Sequence, residues 1–179
     1  MGISLKFSEF GRSSFFIKMS SNFEYMPLMS GNRAYIRVDG VNTGSFKTNG
    51  KTTLVARVGP RNNFLNHTAE FTEKGFPNKT WEFKYNDPSK ASFVLLISKK
   101  HIFGGDEEIG EVELRLSAFE PNTIVSQEFK LLSPRNQSIP ASVKISVHLS
   151  EDGSCPFCAP FGGKLLGNAE IPHKKTYFN

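Results

Sequence analysis

The sequence is poor in several features that define large classes of protein. Among its 179 residues it has two Cys, one Trp and four His, and it has no apolar run long enough to cross a membrane as a helix. The stretch 1–10 lacks the charged start and apolar segment of a secretory signal, and Lys6 stands where N-myristoylation needs Ser or Thr. We therefore expect an intracellular chain, cytoplasmic or cytoskeletal.

Signatures of catalysis and of nucleic-acid binding are also missing. The four His are isolated in sequence, no nucleophile elbow occurs, and the Gly-rich pieces lack the spacing of a phosphate-binding loop. The many Phe fall mostly at inward-facing phases rather than between basic residues. A net charge of +5 gives only a mild preference for acidic partners. We predict no enzyme activity, no cofactor and no nucleic-acid partner.

Alternation of apolar and polar residues is what the chain does have. Residues 93–97 are an apolar run of strand length, 98–107 form a polar loop with two Gly, and 109–116 alternate with a period of two. Six further strands are predicted at 3–7, 33–38, 52–58, 80–85, 127–132 and 143–149. Shorter pieces are indicated at 44–46, which begins a hairpin with 52–58, and at 67–71, inside the connection 59–79. Short strands separated by Gly, Pro and Asn turns predict an all-β fold, an eight-stranded antiparallel β-sandwich.

The end of the chain has a different composition. We predict the sandwich over residues 1–152 and an extended tail over 153–179, which is rich in Pro and Gly and has no repeating apolar face. Cys155 and Cys158 have the spacing of a redox pair, but no helix follows them. A zinc site needs two more ligands, and the nearest His are His148 and His173. The favoured interpretation is a reduced pair in a partner-binding or loosely ordered tail.

Several pieces, taken in order, resemble a C2 domain. They are the tyrosine-centred strand 34–38, Lys51-Thr52, the segment 77–83, the acidic run 106–111 that contains Ile109-Gly110-Glu111, and the closing strand 141–149. The resemblance covers residues 3–152. It implies a C2-like β-sandwich that works as a binding module.

Calcium-binding C2 domains hold the ion with aspartates from loops at one end of the sandwich. The resemblance places Arg33, Ser98 and Lys100 where such aspartates stand and keeps one acid, Asp106. Calcium needs about six to eight oxygen ligands, and two cations in their place would repel it. The resemblance therefore implies a calcium-independent member with a degenerate site, although Glu107 and Glu108 leave weak binding as an alternative.

Other C2 domains bind phosphoinositide headgroups on a basic face. Alternate residues on adjacent strands can share one face, so the candidates here are Lys47, Lys51, Arg57 and Lys84. The alternative, which we favour, is that these four are simply the solvated outer face of the sandwich.

A second candidate is the loop that contains Lys99, Lys100 and His101 beside Ile102 and Phe103. This is a basic loop with an apolar tip, which suits a lipid headgroup region. The alternative is that Ile102 and Phe103 cap the end of the sandwich.

Two functions follow from these observations. The favoured hypothesis is a non-enzymatic structural or scaffolding protein docked in a larger protein assembly, with the connection 11–32 and the tail as attachments. The other is a peripheral membrane module that binds anionic phospholipid through its basic strand and loop residues.

Overall fold

The fold is a sandwich of two antiparallel β-sheets. A computed structural model describes residues 31–44, 52–72, 74–132 and 140–172. Within them lie eight strands and two short 3-10 turns, Phe64–Asn66 and Leu116–Ala118. The strands are β1 (Arg33–Asn42), β2 (Thr53–Gly59), β3 (Thr68–Thr72), β4 (Thr80–Lys84), β5 (Ser92–Lys99), β6 (Glu107–Arg115), β7 (Ile124–Lys130) and β8 (Ser142–Ser150).

Each sheet has four strands. Sheet A has the order β4-β1-β8-β7, and sheet B has the order β3-β2-β5-β6. Every pairing between neighbouring strands is antiparallel. The predicted eight-stranded antiparallel β-sandwich is therefore confirmed. The strand predicted at 3–7, the connection 11–30, and residues Lys47 and Lys51 lie outside the described residues.

The core lies between the sheets and follows the alternation of the strands. Val112 and Leu114 of β6 point inward, whereas Glu111 and Glu113, which alternate with them, are only partly buried. Strand β5 is apolar on both faces because both faces are covered. Its Phe93, Leu95 and Ile97 belong to the main core, while Val94 and Leu96 pack with Phe64 of the first 3-10 turn in a second, smaller cluster.

One end of the sandwich, which we call the loop end, brings four strand ends together. The strand registers pair Thr53 with Thr72, Leu54 with Lys99, and Lys99 with Glu107. The start of β2, the ends of β3 and β5 and the start of β6 therefore lie at this end, and the described residues 74–79 and 100–106 adjoin them. The opposite end is marked by Phe83 and Phe93, one from each sheet, whose ring centroids are 6.1 Å apart.

Residues 153–172 follow the sandwich as a segment without regular strands, which we call the strap. The strap hydrogen-bonds to β7 of sheet A, to the connection 116–123 and to β6 of sheet B, and its Ala169 is buried in the main core. Its backbone bonds include Ile124 N to Pro160 O at 2.8 Å, Leu166 N to Ala118 O at 2.8 Å and Ile171 N to Glu113 O at 2.9 Å. The strap thus ties the two sheets together along one flank.

Within the described ranges, no helix has the length and apolar character needed to cross a bilayer.

Candidate functional site

The loop 100–106 places two large apolar side chains in solvent. Ile102 and Phe103 are each 92% exposed. Gly104 follows them with a φ of +95°, a conformation that glycine adopts without strain. The Lys100 N–H donates to the Thr53 carbonyl at 2.8 Å, which ties the start of the loop to β2. The alternative that Ile102 and Phe103 cap the sandwich is therefore wrong.

Side-chain contacts hold both roots of this loop. Lys100 pairs with Glu70 of β3, and His101 Nε2 lies 3.2 Å from a Glu107 carboxylate oxygen. These contacts fix the roots and leave the apolar tip free of them. The Lys100–Glu70 pair also matches one positive charge near the tip with a negative one, which reduces attraction to an anionic surface.

Arg57 of β2 holds the far root. It pairs with Asp106, and its Nη1 donates to the Ser98 hydroxyl at 3.2 Å. Both members of the Arg57–Asp106 pair are mostly shielded from solvent. The Arg57 guanidinium thus lies beside Asp106, the one acid that this chain keeps at the aspartate positions of a calcium-binding C2 domain.

Phe76 contributes a third exposed apolar side chain at the loop end. It lies in the connection 73–79 between β3 and β4 and is 63% exposed. Sequence reasoning missed it because this stretch has the polar, Gly- and Pro-containing composition of an ordinary connection. The available signal was that Phe76 lies between Gly75 and Pro77, outside any alternating strand pattern that would direct its side chain to the core.

The expectation that Arg33 joins Ser98 and Lys100 is wrong. Arg33 begins β1 and pairs with Glu82 of β4, next to the Phe83–Phe93 contact at the end opposite the loops. Ser98 lies five residues along β5 from Phe93, which is about 17 Å at the rise of an extended strand. The resemblance placed Arg33 just after a loop of the calcium-binding end, but β1 runs toward that end rather than away from it.

The acidic groups at the loop end are engaged or hard to ionise. Asp106 is paired with Arg57, and Glu107 lies beside His101. Burial, followed by repulsion from Glu111, raises the pKa of Glu108 and disfavours the charged form that a metal ligand needs. Among the described residues, no group of three or more His, Cys, Asp or Glu is arranged to hold a metal ion. In sequence, the connection 43–52, which precedes β2, contains neither Asp nor Glu.

The candidate basic face of Lys47, Lys51, Arg57 and Lys84 cannot include both Arg57 and Lys84, and Lys47 and Lys51 lie outside the described residues. Arg57 lies on β2 of sheet B and Lys84 on β4 of sheet A, so the two cannot share a face. Period-two alternation assigns a residue to a face of its own strand but does not say which sheet the strand joins. Arg57 is moreover already paired with Asp106.

Cys155 and Cys158 form a disulfide, so the interpretation of a reduced pair is wrong. His148 of β8 lies beside them with both ring nitrogens engaged. Its Nε2 is 3.2 Å from the Ser154 hydroxyl, and its Nδ1 accepts the Phe157 N–H at 3.1 Å. These bonds occupy the positions that a metal would take. His173, the other ligand considered, lies outside the described residues.

Comparison with solved structures identifies the fold. The first C2 domain of plant extended synaptotagmin 1 matches with a TM-score of 0.55 and 13% identity, over 68% of this chain and 95% of that domain. Human GIVD cytosolic phospholipase A2 matches with a TM-score of 0.52 and 14% identity, over 68% of this chain and 16% of that protein. The same enzyme in complex with methyl gamma-linolenyl fluorophosphonate gives a TM-score of 0.51 at 11% identity, over 71% of this chain and 18% of that chain.

No family model and no curated protein sequence matches the chain. At such low identities the structural likeness establishes the architecture alone, which is a C2-like β-sandwich. In the phospholipase, the match spans less than a fifth of the protein, so nothing of its remaining length is represented here.

Proposed function

We propose that this chain is a non-enzymatic, intracellular C2-like module that docks on membrane surfaces through its loop end, without calcium. The observation that carries the proposal is the 92% exposure of Ile102 and Phe103 at the tip of a loop with fixed roots. Large apolar side chains held in water at the end of a domain mark a surface that another apolar phase covers. Phe76 adds to the same end.

The lipid contact would be mainly apolar. Each fully buried Ile or Phe side chain contributes about 1.5–3 kcal/mol relative to exposure in water. Lys100 is paired with Glu70 and Arg57 with Asp106, so anionic headgroups would add less. Membrane binding should therefore depend more on the apolar tip than on salt concentration.

Calcium independence is supported by the chemistry of the loop end. Asp106 is neutralised by Arg57, and the connection 43–52, which precedes β2 in sequence, offers no carboxylate. A calcium ion would need several ionised oxygen ligands in one place. The support no longer includes Arg33, which lies at the other end.

A role in a protein assembly, which the sequence favoured, is the second candidate. Phe161 and Leu166 of the strap are exposed apolar side chains on a segment whose backbone is fixed by hydrogen bonds. The strap would then act as a rigid contact surface and not as a flexible attachment.

Vesicle sedimentation separates the two candidates. The wild type and the double variant Ile102→Ser/Phe103→Ser are mixed with vesicles of neutral or anionic phospholipid, in calcium or in chelator. Leu65→Ser is the matched control, because Leu65 is 59% exposed but lies beyond β2, away from the loop end. We expect wild-type binding in chelator, a loss of tenfold or more in the double variant at about 1.4 kcal/mol per tenfold, and no loss in the control.

Two results would contradict the membrane proposal. Binding that appears only with calcium would refute calcium independence, and equal binding by the double variant and the wild type would refute the role of the tip. The assembly role would be supported instead if the wild type bound no vesicle and if Phe161→Ser/Leu166→Ser lost the binding of a protein partner that the wild type binds.

A further inference from the structure

The disulfide closes a four-residue ring at the start of the strap. Cys158 N donates to the Cys155 carbonyl at 3.1 Å, so the ring is also a hydrogen-bonded turn. Both cysteines are exposed to solvent. Phe157 inside the ring has a φ of 56°, in the left-handed region that residues other than glycine rarely adopt. The ring therefore holds a backbone conformation that an open chain would tend to leave.

The ring places Phe157 on the outer face of sheet A. The Phe157 ring lies 6.3 Å from the His148 ring, centroid to centroid, and the Arg37 guanidinium carbon is 4.7 Å from the Phe157 centroid. His148 also packs against the Tyr35 ring at 5.5 Å. Three elements, β1, β8 and the strap, thus converge on one contact, which we call the Phe157 seat.

The seat explains an unusual burial. His148 points to the outer face of a sheet, as its neighbours Val147 and Leu149 point to the core, and yet it is 0% exposed. Its partners on the strap are the Phe157 N–H and the Ser154 hydroxyl, both in or beside the ring. The accessibility of His148 therefore depends on whether the ring stays in place.

We propose that Cys155–Cys158 is a thiol–disulfide exchange site whose reduction releases Phe157 from its seat and uncovers His148. The reductant is a dithiol. One of its thiolates attacks a sulfur of the pair, the S–S bond breaks, and a mixed disulfide forms with release of one protein thiolate. The second thiolate of the reductant then displaces the other cysteine, leaving two protein thiols and an oxidised reductant. Two electrons pass to the protein.

The change should stay local. The ring spans four residues, and the later part of the strap has its own hydrogen bonds to Ile124, Ala118, Arg115 and Glu113. Opening the ring removes none of these bonds. Disulfides of intracellular proteins are usually transient and redox-sensing. An exposed cysteine pair that holds one contact, the packing of Phe157 on His148 and Arg37, agrees with that role.

The test uses the full chain, oxidised or treated with dithiothreitol. Thiols are counted with a chromogenic disulfide reagent, and His148 is probed by diethylpyrocarbonate with mass spectrometry. We expect no reactive thiol before reduction and two after it, and modification of His148 about tenfold faster once the ring opens, because local opening then becomes common. His101, exposed in the loop 100–106, is the internal reference whose modification should not change.

Two variants complete the test. Cys155→Ser/Cys158→Ser should expose His148 without reductant, and Phe157→Ala should expose it even in the oxidised chain. Circular dichroism should show an unchanged sandwich in the reduced wild type, which needs no substitution to fold. Two reactive thiols in the air-oxidised protein would overturn the proposal, as would equal His148 modification with and without dithiothreitol.

Discussion

Replacing Gly163 by Ala tests the packing of the strap on the sandwich. A Cβ atom at this position would lie 2.1 Å from Thr123 Oγ1, 2.8 Å from Thr123 Cβ and 3.0 Å from Val125 Cγ2. Thr123 cannot swing away freely, because its hydroxyl donates to the Glu120 carbonyl at 3.0 Å. The new methyl group must therefore displace the strap, or Thr123 must give up its hydrogen bond.

The cost can be estimated from overpacking. Adding a methyl group to a closely packed site costs about 1–3 kcal/mol. For a protein of this size, each 1 kcal/mol lowers Tm by about 2–4 °C. Gly163→Ala should therefore lower Tm by about 2–12 °C. Gly167→Ala is the matched control in the same segment, because a Cβ there meets nothing within 4 Å.

The two variants should shift stability in opposite directions. Gly167→Ala restricts the unfolded chain and should stabilise the protein by about 0.4–1 kcal/mol. Urea and thermal unfolding, followed by circular dichroism and by the fluorescence of Trp81, measure both effects. Equal stability of the two variants would show that the strap does not lie against β7 as described.

Three further predictions concern the core and the buried polar groups. Burial lowers the pKa of His148 below its ordinary 6.5, although Asp152 acts to raise it. The unfolded chain therefore takes up this proton at a higher pH than the folded chain does, so the free energy of unfolding should keep its full value above pH 6.5 and decrease as the pH falls below it. Urea titrations at several pH values should show this dependence in the wild type and not in His148→Gln. Trp81→Phe removes the 2.9 Å hydrogen bond from Nε1 to the His67 carbonyl and should lower the free energy of unfolding by about 1–2 kcal/mol. Urea unfolding followed by circular dichroism measures this loss, and a variant as stable as the wild type would contradict the hydrogen bond. Leu114→Ala empties a fully buried position and should cost about 2–5 kcal/mol in the same measurement, whereas a smaller loss would mean that the core collapses around it.

The strands were predictable because each carries its own local signal. Strands β6 and β8 alternate between apolar and polar residues, and β5 is short and apolar throughout. A half-buried strand imposes that period on its sequence whatever its neighbours are. The architecture could then be inferred from the number and spacing of the strands, and the comparison with solved structures agrees with it.

The site was harder to predict because it depends on directions in space. The alternation of residues in β1 does not show which end of the sandwich Arg33 occupies. The alternation in β4 does not show that Lys84 and Arg57 lie in different sheets. Strap contacts are mostly backbone hydrogen bonds, which leave no pattern of side chains, so the tail appeared featureless. The exposure of Ile102 and Phe103 was one of two stated alternatives, and only the three-dimensional position of the loop, which leaves each side chain 92% exposed, decides between them.

The course of the strap has a consequence for self-association. Sandwiches of antiparallel strands are prone to grow by adding a foreign strand to an open sheet margin, which can end in aggregation. From Pro160 to Ile171 the strap already takes up bonding positions along the margins of β6 and β7. An incoming strand would have to peel it off first. Growth into a continuous intermolecular sheet is thereby directed to the opposite flank, where β3 and β4 form the outer strands.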